Sequence, residues 1–162
     1  MGEADEVWLN DGTGIFSDSG QRLGSASSHA MALGDVDGDG DLDAFVGVAH
    51  GLPGNKVWLN DGAGNFSDSG QDLSGPNVAD VALGDLDGDG DLDAFMGTYY
   101  EGNEVWLNDG AGNFSPSDQN MGDSDSRGLA LGDLDSDGDL DAFVAEFGWP
   151  DGQPNRVWLN GE

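Results

Sequence analysis

Hydrophobic residues occur in short alternating runs along this chain, and the pattern recurs about every 50 residues. One unit contains four runs of strand-forming residues, separated by Gly, Asn and Asp, which we name strands a to d. In the second unit they cover residues 80–84, 93–98, 104–108 and a stretch around Phe114. The runs are too short, and too often broken by glycine, for helices. The pattern therefore predicts four antiparallel strands in each unit.

Two motifs keep the same spacing and so define the repeat. Val-Trp-Leu-Asn occurs at 7–10, 57–60, 105–108 and 157–160, with spacings of 50, 48 and 52 residues. Acidic loops begin at Asp35, Asp85 and Asp133, each after Ala-Leu-Gly and before Leu-Asp-Ala-Phe. Four antiparallel strands in about 50 residues match one blade of a β-propeller. We expect an all-β chain built of β-propeller blades; a nonapeptide β-roll, the other calcium-binding repeat, has the wrong period.

The blade assignment treats residues 1–162 as a single repeat domain. It comprises a partial blade with strands c and d, two complete units, and a partial blade with strands a, b and c, at residues 1–28, 29–78, 79–126 and 127–162. These are three four-stranded repeats plus one extra strand, fewer than the roughly four to eight blades of a closed propeller. We therefore expect oligomerisation to complete the ring, most simply as a homodimer with six blades. An open or further polymerised form is the alternative, and whether 7–10 or 157–160 is the spare strand c stays open.

The charge of the chain limits its partners. Its 33 acidic and four basic residues give a formal net charge of −29, so nucleic acid is not an expected partner and a cation is. Five Trp, seven Phe and two Tyr argue against a disordered acidic segment. The absence of cysteine excludes thiolate metal sites. No apolar run approaches the roughly 20 residues of a membrane span, and no signal peptide is recognisable.

The acidic loops have the spacing of metal ligands. Each loop has the form Asp-x-Asp-x-Asp-Gly-x-x-Asp, with carboxylates at positions 1, 3, 5 and 9 and glycine at position 6 for the sharp turn. Position 7 is also Asp, and its backbone carbonyl is available as a ligand. Such hard oxygen ligands suit Ca²⁺ better than Mg²⁺, which keeps several waters. We predict three Ca²⁺ per chain, held by Asp35, Asp37, Asp39, Asp41 and Asp43; by Asp85, Asp87, Asp89, Asp91 and Asp93; and by Asp133, Asp135, Asp137, Asp139 and Asp141.

Two other interpretations of the loops fit less well. An EF-hand closes with Glu at position 12, where this chain has Val46, Met96 and Val144. A simple solvated turn needs no carboxylates at identical offsets three times over. It would also suffer their repulsion, roughly 0.7 kcal/mol for each pair about 6 Å apart in water.

The run Ala-Leu-Gly-Asp-Leu-Asp-Gly-Asp-Gly-Asp-Leu-Asp-Ala-Phe, at 82–95, resembles the FG-GAP/VCBS repeat of integrin α-subunit propellers and many bacterial surface proteins. The resemblance covers nearly the whole chain. It implies that positions 1, 3, 5 and 9 of each loop are calcium ligands, together with the position 7 carbonyl. It also implies a metal face at the a-to-b loops and a partner face at the b-to-c and d-to-a loops, open to a protein or carbohydrate ligand. Family propellers usually have seven blades, which this chain does not.

The remaining aromatic and basic residues suggest a core and a binding surface. The Trp residues of the repeated motif, Trp8, Trp58, Trp106 and Trp158, are expected to pack between blades. The aromatic residues that do not repeat lie in b-to-c loops: Tyr99, Tyr100, Phe147 and Trp149. His29 and Arg127 hold equivalent places six residues before a metal loop. We expect any binding surface to lie there.

The sequence does not predict an enzyme. His29 and His50 lie in separate repeats without a recurrent Ser or Cys partner, and one active site would not need three acidic copies. The leading hypothesis is a non-catalytic, calcium-binding module for interaction or adhesion, extracellular or at the cell surface, where Ca²⁺ is millimolar. The alternatives are an engineered or excised propeller fragment without its own partner, and a propeller-type lyase or hydrolase with a site at the channel mouth.

Overall fold

The chain is all-β, as predicted. A computed structural model describes residues 4–24, 27–49, 54–71, 73–75, 77–119, 121–148 and 152–161, and in these ranges it contains strands and turns but no helix. The strands are β1 (Asp5–Asn10), β2 (Phe16–Leu23), β3 (Ser28–Gly34), β4 (Asp43–Val48), β5 (Lys56–Asn60), β6 (Phe66–Asp68), β7 (Val78–Gly84), β8 (Asp93–Thr98), β9 (Glu101–Gly102), β10 (Glu104–Asn108), β11 (Phe114–Pro116), β12 (Asp123–Ser124), β13 (Ser126–Gly132), β14 (Asp141–Glu146) and β15 (Arg156–Trp158).

The strands pair in the order expected of propeller blades. The first blade is the antiparallel sheet β3-β4-β5-β6, and the second is β7-β8-β10-β11. The third blade is the three-stranded sheet β13-β14-β15, and β1-β2 form an N-terminal hairpin. Strands b and c of the second blade have the predicted bounds, whereas strand a starts two residues earlier, at Val78. The small β9-β12 sheet was not predicted, because two-residue strands leave no alternating pattern.

The register places each acidic loop at the same end of its blade. Gly34 pairs with Asp43, Gly84 with Asp93, and the third blade repeats this pairing. The glycine at loop position 6 has a φ of 96° in the first loop and 100° in the second, a region that favours glycine. This confirms the predicted sharp turn.

The core lies between consecutive blades. β3 packs beside β7, and β7 packs beside β13. The face that a blade turns to the next one, here called its outgoing face, carries Phe45 and Val57 in the first blade, both buried against Val78 of the second. The other face, here called the incoming face, carries Ala44 and Trp58. Side chains alternate between the two faces of a strand, so the two faces of the first sheet pack against different neighbours.

Two of the four repeated Trp residues are buried as predicted. Trp58 and Trp106 are buried, and Trp158 is half-buried against the second core cluster. Trp8 is 51% exposed, so the prediction was wrong there. The reason is that Trp8 lies on the incoming face of the N-terminal hairpin, and the described residues include no blade that packs on that face.

None of the described segments forms a helix that could cross a membrane.

Candidate metal centres

Each acidic loop connects the first two strands of a blade. Asp35 directly follows β3, and Asp43 is the first residue of β4. The hairpin pairing thus brings positions 1 and 9 of the loop together, and the turn glycines fold the residues between them back over the strand ends. The second and third loops have the same arrangement.

Three carboxylates of each loop converge to within reach of one ion. Their oxygen atoms lie within 4.8 Å of one another in three groups: Asp35, Asp37 and Asp39; Asp85, Asp87 and Asp93; and Asp133, Asp135 and Asp141. Positions 1 and 3 belong to every group, whereas the third member is position 5 in the first loop and position 9 in the other two. The remaining predicted carboxylates lie outside these groups: Asp41, Asp43, Asp89, Asp91, Asp137 and Asp139.

Backbone N–H groups of the loop hold the carboxylates in place. Asp35 accepts hydrogen bonds from the amides of Gly38, at 2.8 Å, and Gly40, at 3.0 Å. Asp37 accepts one from Asp39, and Asp39 accepts one from Asp41. The second loop repeats all four bonds. These bonds bend the loop around its own side chains and position the oxygens without a basic residue.

The aspartate at position 9 is buried in every loop. Asp93 is 0% exposed and accepts hydrogen bonds from the backbone N–H of Leu86, at 2.9 Å, and of Asn108, at 2.8 Å. Its counterparts make the same two bonds in the first and third blades. Each carboxylate oxygen accepts one such bond and can still coordinate a cation.

The asparagine that ends Val-Trp-Leu-Asn supports the loop, a role that our sequence analysis missed. The Asn108 side-chain amide donates to the carbonyls of Val36, at 2.8 Å, and Leu92, at 3.2 Å. Val36 belongs to the loop of the preceding blade, and Asn160 likewise donates to Leu86 O at 2.8 Å. The signal in the sequence was the recurrence of this Asn in all four motifs.

The electrostatics of the loops favour a cation. Burial, and then the neighbouring charges of Asp43, Asp39 and Asp35, raise the pKa of Asp37. Burial also raises the pKa of Asp93, and the nearby charges of Asp87 and Asp89 raise it further. Its two backbone hydrogen bonds act in the opposite direction and lower the pKa. The ion pairs found in the described part of the chain leave these loop carboxylates without a basic partner. An all-oxygen set of closely spaced carboxylates fits Ca²⁺.

The side chains at position 7 of the first two loops lie close to the c-to-d turn of their own blade. A methyl group built on Gly62, in the c-to-d turn of the first blade, would overlap the Asp41 carboxylate, and Gly110 has the same relation to Asp91. These two side chains therefore lie over the turn. The prediction that position 7 contributes its backbone carbonyl stays a prediction.

A second cluster occupies the opposite end of the blades. The Arg127 guanidinium lies 4.5 Å from the Tyr99 ring centre and 4.8 Å from that of Phe147. The Tyr99 hydroxyl is hydrogen-bonded to His29 Nε2, and Tyr100 is 77% exposed. These five residues, here called the loop-face cluster, bring together side chains of all three blades. Trp149, which was predicted for the same region, and His50 lie outside the described residues.

Comparison with known families gives three overlapping matches along the chain. A family model described as FG-GAP-like repeat matches residues 2–46, 35–96 and 85–144. The second match starts at the first residue of one acidic loop and ends in strand b beyond the next, so each matched segment joins consecutive blades. No curated protein matches the chain significantly.

Proposed function

The chain belongs to the FG-GAP-like repeat family, and we propose that it is a calcium-binding β-propeller module with a non-catalytic role in interaction or adhesion. The observation that carries the calcium assignment is the convergence of three carboxylates in each of the three loops. Position 1, 3, 5 and 9 carboxylates and the position 7 carbonyl would hold each ion, which supplies the positive charge that the loop lacks.

The expected role of the ions is structural. Each loop joins strands a and b, and its buried position 9 aspartate also accepts a hydrogen bond from strand c, as Asp93 does from Asn108. A bound cation would therefore stabilise three strands of a blade at once, and it would remove the repulsion among the loop carboxylates. Sites of this kind need a compartment with millimolar Ca²⁺, so we expect the protein to work outside the cell or at its surface.

The loop-face cluster supports the interaction role. Arg127 is one of only four basic residues in a chain of net charge −29, and it is exposed beside the rings of Tyr99 and Phe147. Exposed aromatic rings with a guanidinium are suited to protein and carbohydrate ligands, because the rings stack and the cation pairs with acidic groups. The strands are about 20 Å long, so a ligand there would not displace Ca²⁺.

The alternative functions have less support. A lyase or hydrolase would need acid and base groups at one mouth of the channel, and the candidates His29 and Arg127 are both engaged with Tyr99. An engineered or excised fragment without its own partner remains the other alternative. It predicts the same calcium binding but no ligand for the loop-face cluster.

Titration calorimetry of the chelator-treated protein tests the calcium assignment. We expect three Ca²⁺ per chain, two in Asp87→Ala, and three in the control Asp118→Ala, which alters an exposed aspartate outside the loops. Excess chelator should lower the melting temperature of the wild type strongly, because the ions bind only the folded loops. A stoichiometry of zero or one, or unchanged melting in chelator, would contradict the proposal.

A further inference from the structure

The edge of the third blade and the N-terminal hairpin carry complementary features. β15 pairs with β14 on one side and has no described strand on its other side. In the first and second blades, the equivalent place is filled by β6 and β11, the fourth strands of those blades. We propose that a second copy of this chain supplies β2 as the fourth strand of the third blade. The exchange is reciprocal, so two chains close one six-bladed ring. This inference does not depend on the proposed ligand role.

A cavity beside β15 has the size and lining of a phenylalanine site. Its volume is about 150 Å³, and it is lined in part by Phe95, Val105, Gln119, Trp158 and Leu159. An apolar cavity of about this size accepts a benzene ring. At the equivalent place between the first and second blades, Phe114 is buried with its ring edge-on to Phe45, 5.2 Å between centres. Phe95 corresponds to Phe45 in the repeat.

The hairpin carries the corresponding phenylalanine. Phe16 occupies the place of Phe114 in strand d and pairs with Asn10, as Phe114 pairs with Asn108. Phe16 is 59% exposed in the single chain. Seating it in the cavity of a second copy would bury it as Phe114 is buried.

A repeated glutamine brace supports the same docking. Gln71 Nε2 donates to the carbonyl of Gly112, at 2.5 Å, and its Oε1 accepts from the Phe114 amide, at 2.7 Å. It thereby fixes the c-to-d turn of the next blade. Gln21 makes the same two bonds to the first blade, at 2.6 and 2.8 Å.

The third glutamine of the series has the same position but a different environment. Gln119 lines the cavity and makes no hydrogen bond to another described residue. The repeat pattern gives the hydrogen-bond partners that Gln119 would have. They are the carbonyl of Gly14, equivalent to that of Gly112, and the amide of Phe16, equivalent to that of Phe114. A second copy would bring both groups within reach of Gln119 together with the Phe16 ring.

The broad faces of the end blades are complementary as well. On the outgoing face of the third blade, Phe143 is 43% exposed, whereas its counterpart Phe95 is 3% exposed. On the incoming face of the first blade, Met31 is 60% exposed, whereas its counterpart Val81 is buried. Between the blades of one chain these two kinds of face pack against each other. Packing the third blade of one copy on the first blade of the other repeats that interface.

Charges identify the strand that the shared blade keeps. In the first blade, Lys56 of strand c pairs with Asp68 of strand d at 3.0 Å. The corresponding residues are Arg156 in β15 and Asp18 in β2, so the new pair repeats this contact. Arg156 Nε also lies 3.7 Å from Glu146, whose side chain is fully buried.

The competing strand β1 has the opposite charge at this position. Glu6 takes the place of Arg156 in the repeat and would set a second carboxylate beside the buried Glu146. The exchange therefore keeps β15 as strand c of the shared blade and displaces β1.

Light scattering in millimolar Ca²⁺ tests the assembly. The wild type should have twice the chain mass of 16.7 kDa. Phe16→Glu removes the inserted ring, Leu159→Glu blocks the cavity, and both should be monomers that still fold, since both side chains are exposed in one chain. Tyr100→Glu, on the loop-face cluster, is the matched control and should remain a dimer. A monomeric wild type, species larger than a dimer, or dimers of both variants would overturn the proposal.

Mixing the two variants tests the head-to-tail geometry. A chain with Phe16→Glu keeps an intact cavity, and a chain with Leu159→Glu keeps an intact Phe16. The mixture should therefore recover a dimer with one working junction, although each variant alone is monomeric. If the mixture stays monomeric, the two positions do not meet in the assembly and the proposal fails.

A disulfide tests the strand choice. In the first blade Leu59 lies opposite Ser67, and the corresponding residues are Leu159 of one copy and Ser17 of the other. The chain contains no cysteine, so Leu159→Cys with Ser17→Cys should give a covalent dimer on oxidation. A dimer in solution that forms no cross-link would show that β1 is retained and that the proposed exchange is wrong.

Discussion

Replacing Gly47 with Ala should destabilise the protein, because two blades touch at this glycine. Gly47 lies in β4 on the outgoing face, and a methyl group built on it would come within 2.5 Å of Val78 Cγ1 and 2.8 Å of Val78 Cβ. Carbon atoms in good contact are about 3.5–4.0 Å apart. The backbone of Gly47 does not have a positive φ, so the alanine itself brings no conformational strain.

The expected cost follows from the rigidity of the contact. A methyl group forced into a packed core costs about 1–3 kcal/mol. Rotation of Val78 relieves the contact with Cγ1 but not the one with Cβ, so we expect the upper half of this range, about 2–3 kcal/mol. For a chain of this length each kcal/mol lowers the melting temperature by roughly 2–4 °C.

The measurement is urea unfolding in millimolar Ca²⁺, followed by tryptophan fluorescence. Gly97→Ala is the matched control, since the same methyl group there meets Ser126 Cβ at 3.2 Å and Leu129 Cδ2 at 3.3 Å, and we expect a smaller loss. The double variant Gly47→Ala/Val78→Ala should lose less than the sum of its single variants, because the shorter contact is gone. Equal effects at both glycines, or a neutral Gly47→Ala, would show that the blades do not pack as described.

Two further predictions concern the third loop and the hairpin. Ser136 has a φ of 70° where the other loops have glycine, so Ser136→Gly should stabilise the protein by up to about 1 kcal/mol, measured by thermal unfolding; a lower melting temperature would contradict this. The Arg22 hydrogen bond lowers the pKa of Asp18 from 3.8 to about 2. The stabilisation this brings is complete above pH 3.8 and is lost as the pH falls toward 2. In the monomeric Phe16→Glu background, where no second copy places Arg156 beside Asp18, an NMR titration should show the Asp18 pKa returning toward 3.8 in Arg22→Gln. An unchanged pKa would refute the pairing.

Features that recur in every repeat were predictable from the sequence. The bounds of strands b and c in the second blade were predicted correctly, because alternating apolar residues lie there between turn residues. The position of the acidic loops between strands a and b followed from the same repetition. Both depend on local pattern alone.

Features that depend on neighbouring blades were not predictable in the same way. Trp8 has the same local sequence as Trp58, yet it is exposed because the hairpin has no described blade before it. Asp39 joins the converging carboxylates of the first loop, whereas position 9 does so in the other two, although the spacing is identical. The β9-β12 pairing joins two segments far apart in the chain, which no local periodicity indicates.

The asparagine link between blades has a consequence for how the loops respond to metal. Asn108 bonds both to Asp93 of its own loop and to the carbonyl of Val36, whose amide in turn bonds to Asp43 of the preceding loop. Asn160 connects the third loop to the second in the same manner. The three loops thus form one hydrogen-bonded series across the metal face. Ordering one loop orders a group to which the next loop is hydrogen-bonded. We therefore expect the proposed Ca²⁺ sites to be coupled and to fill cooperatively rather than independently.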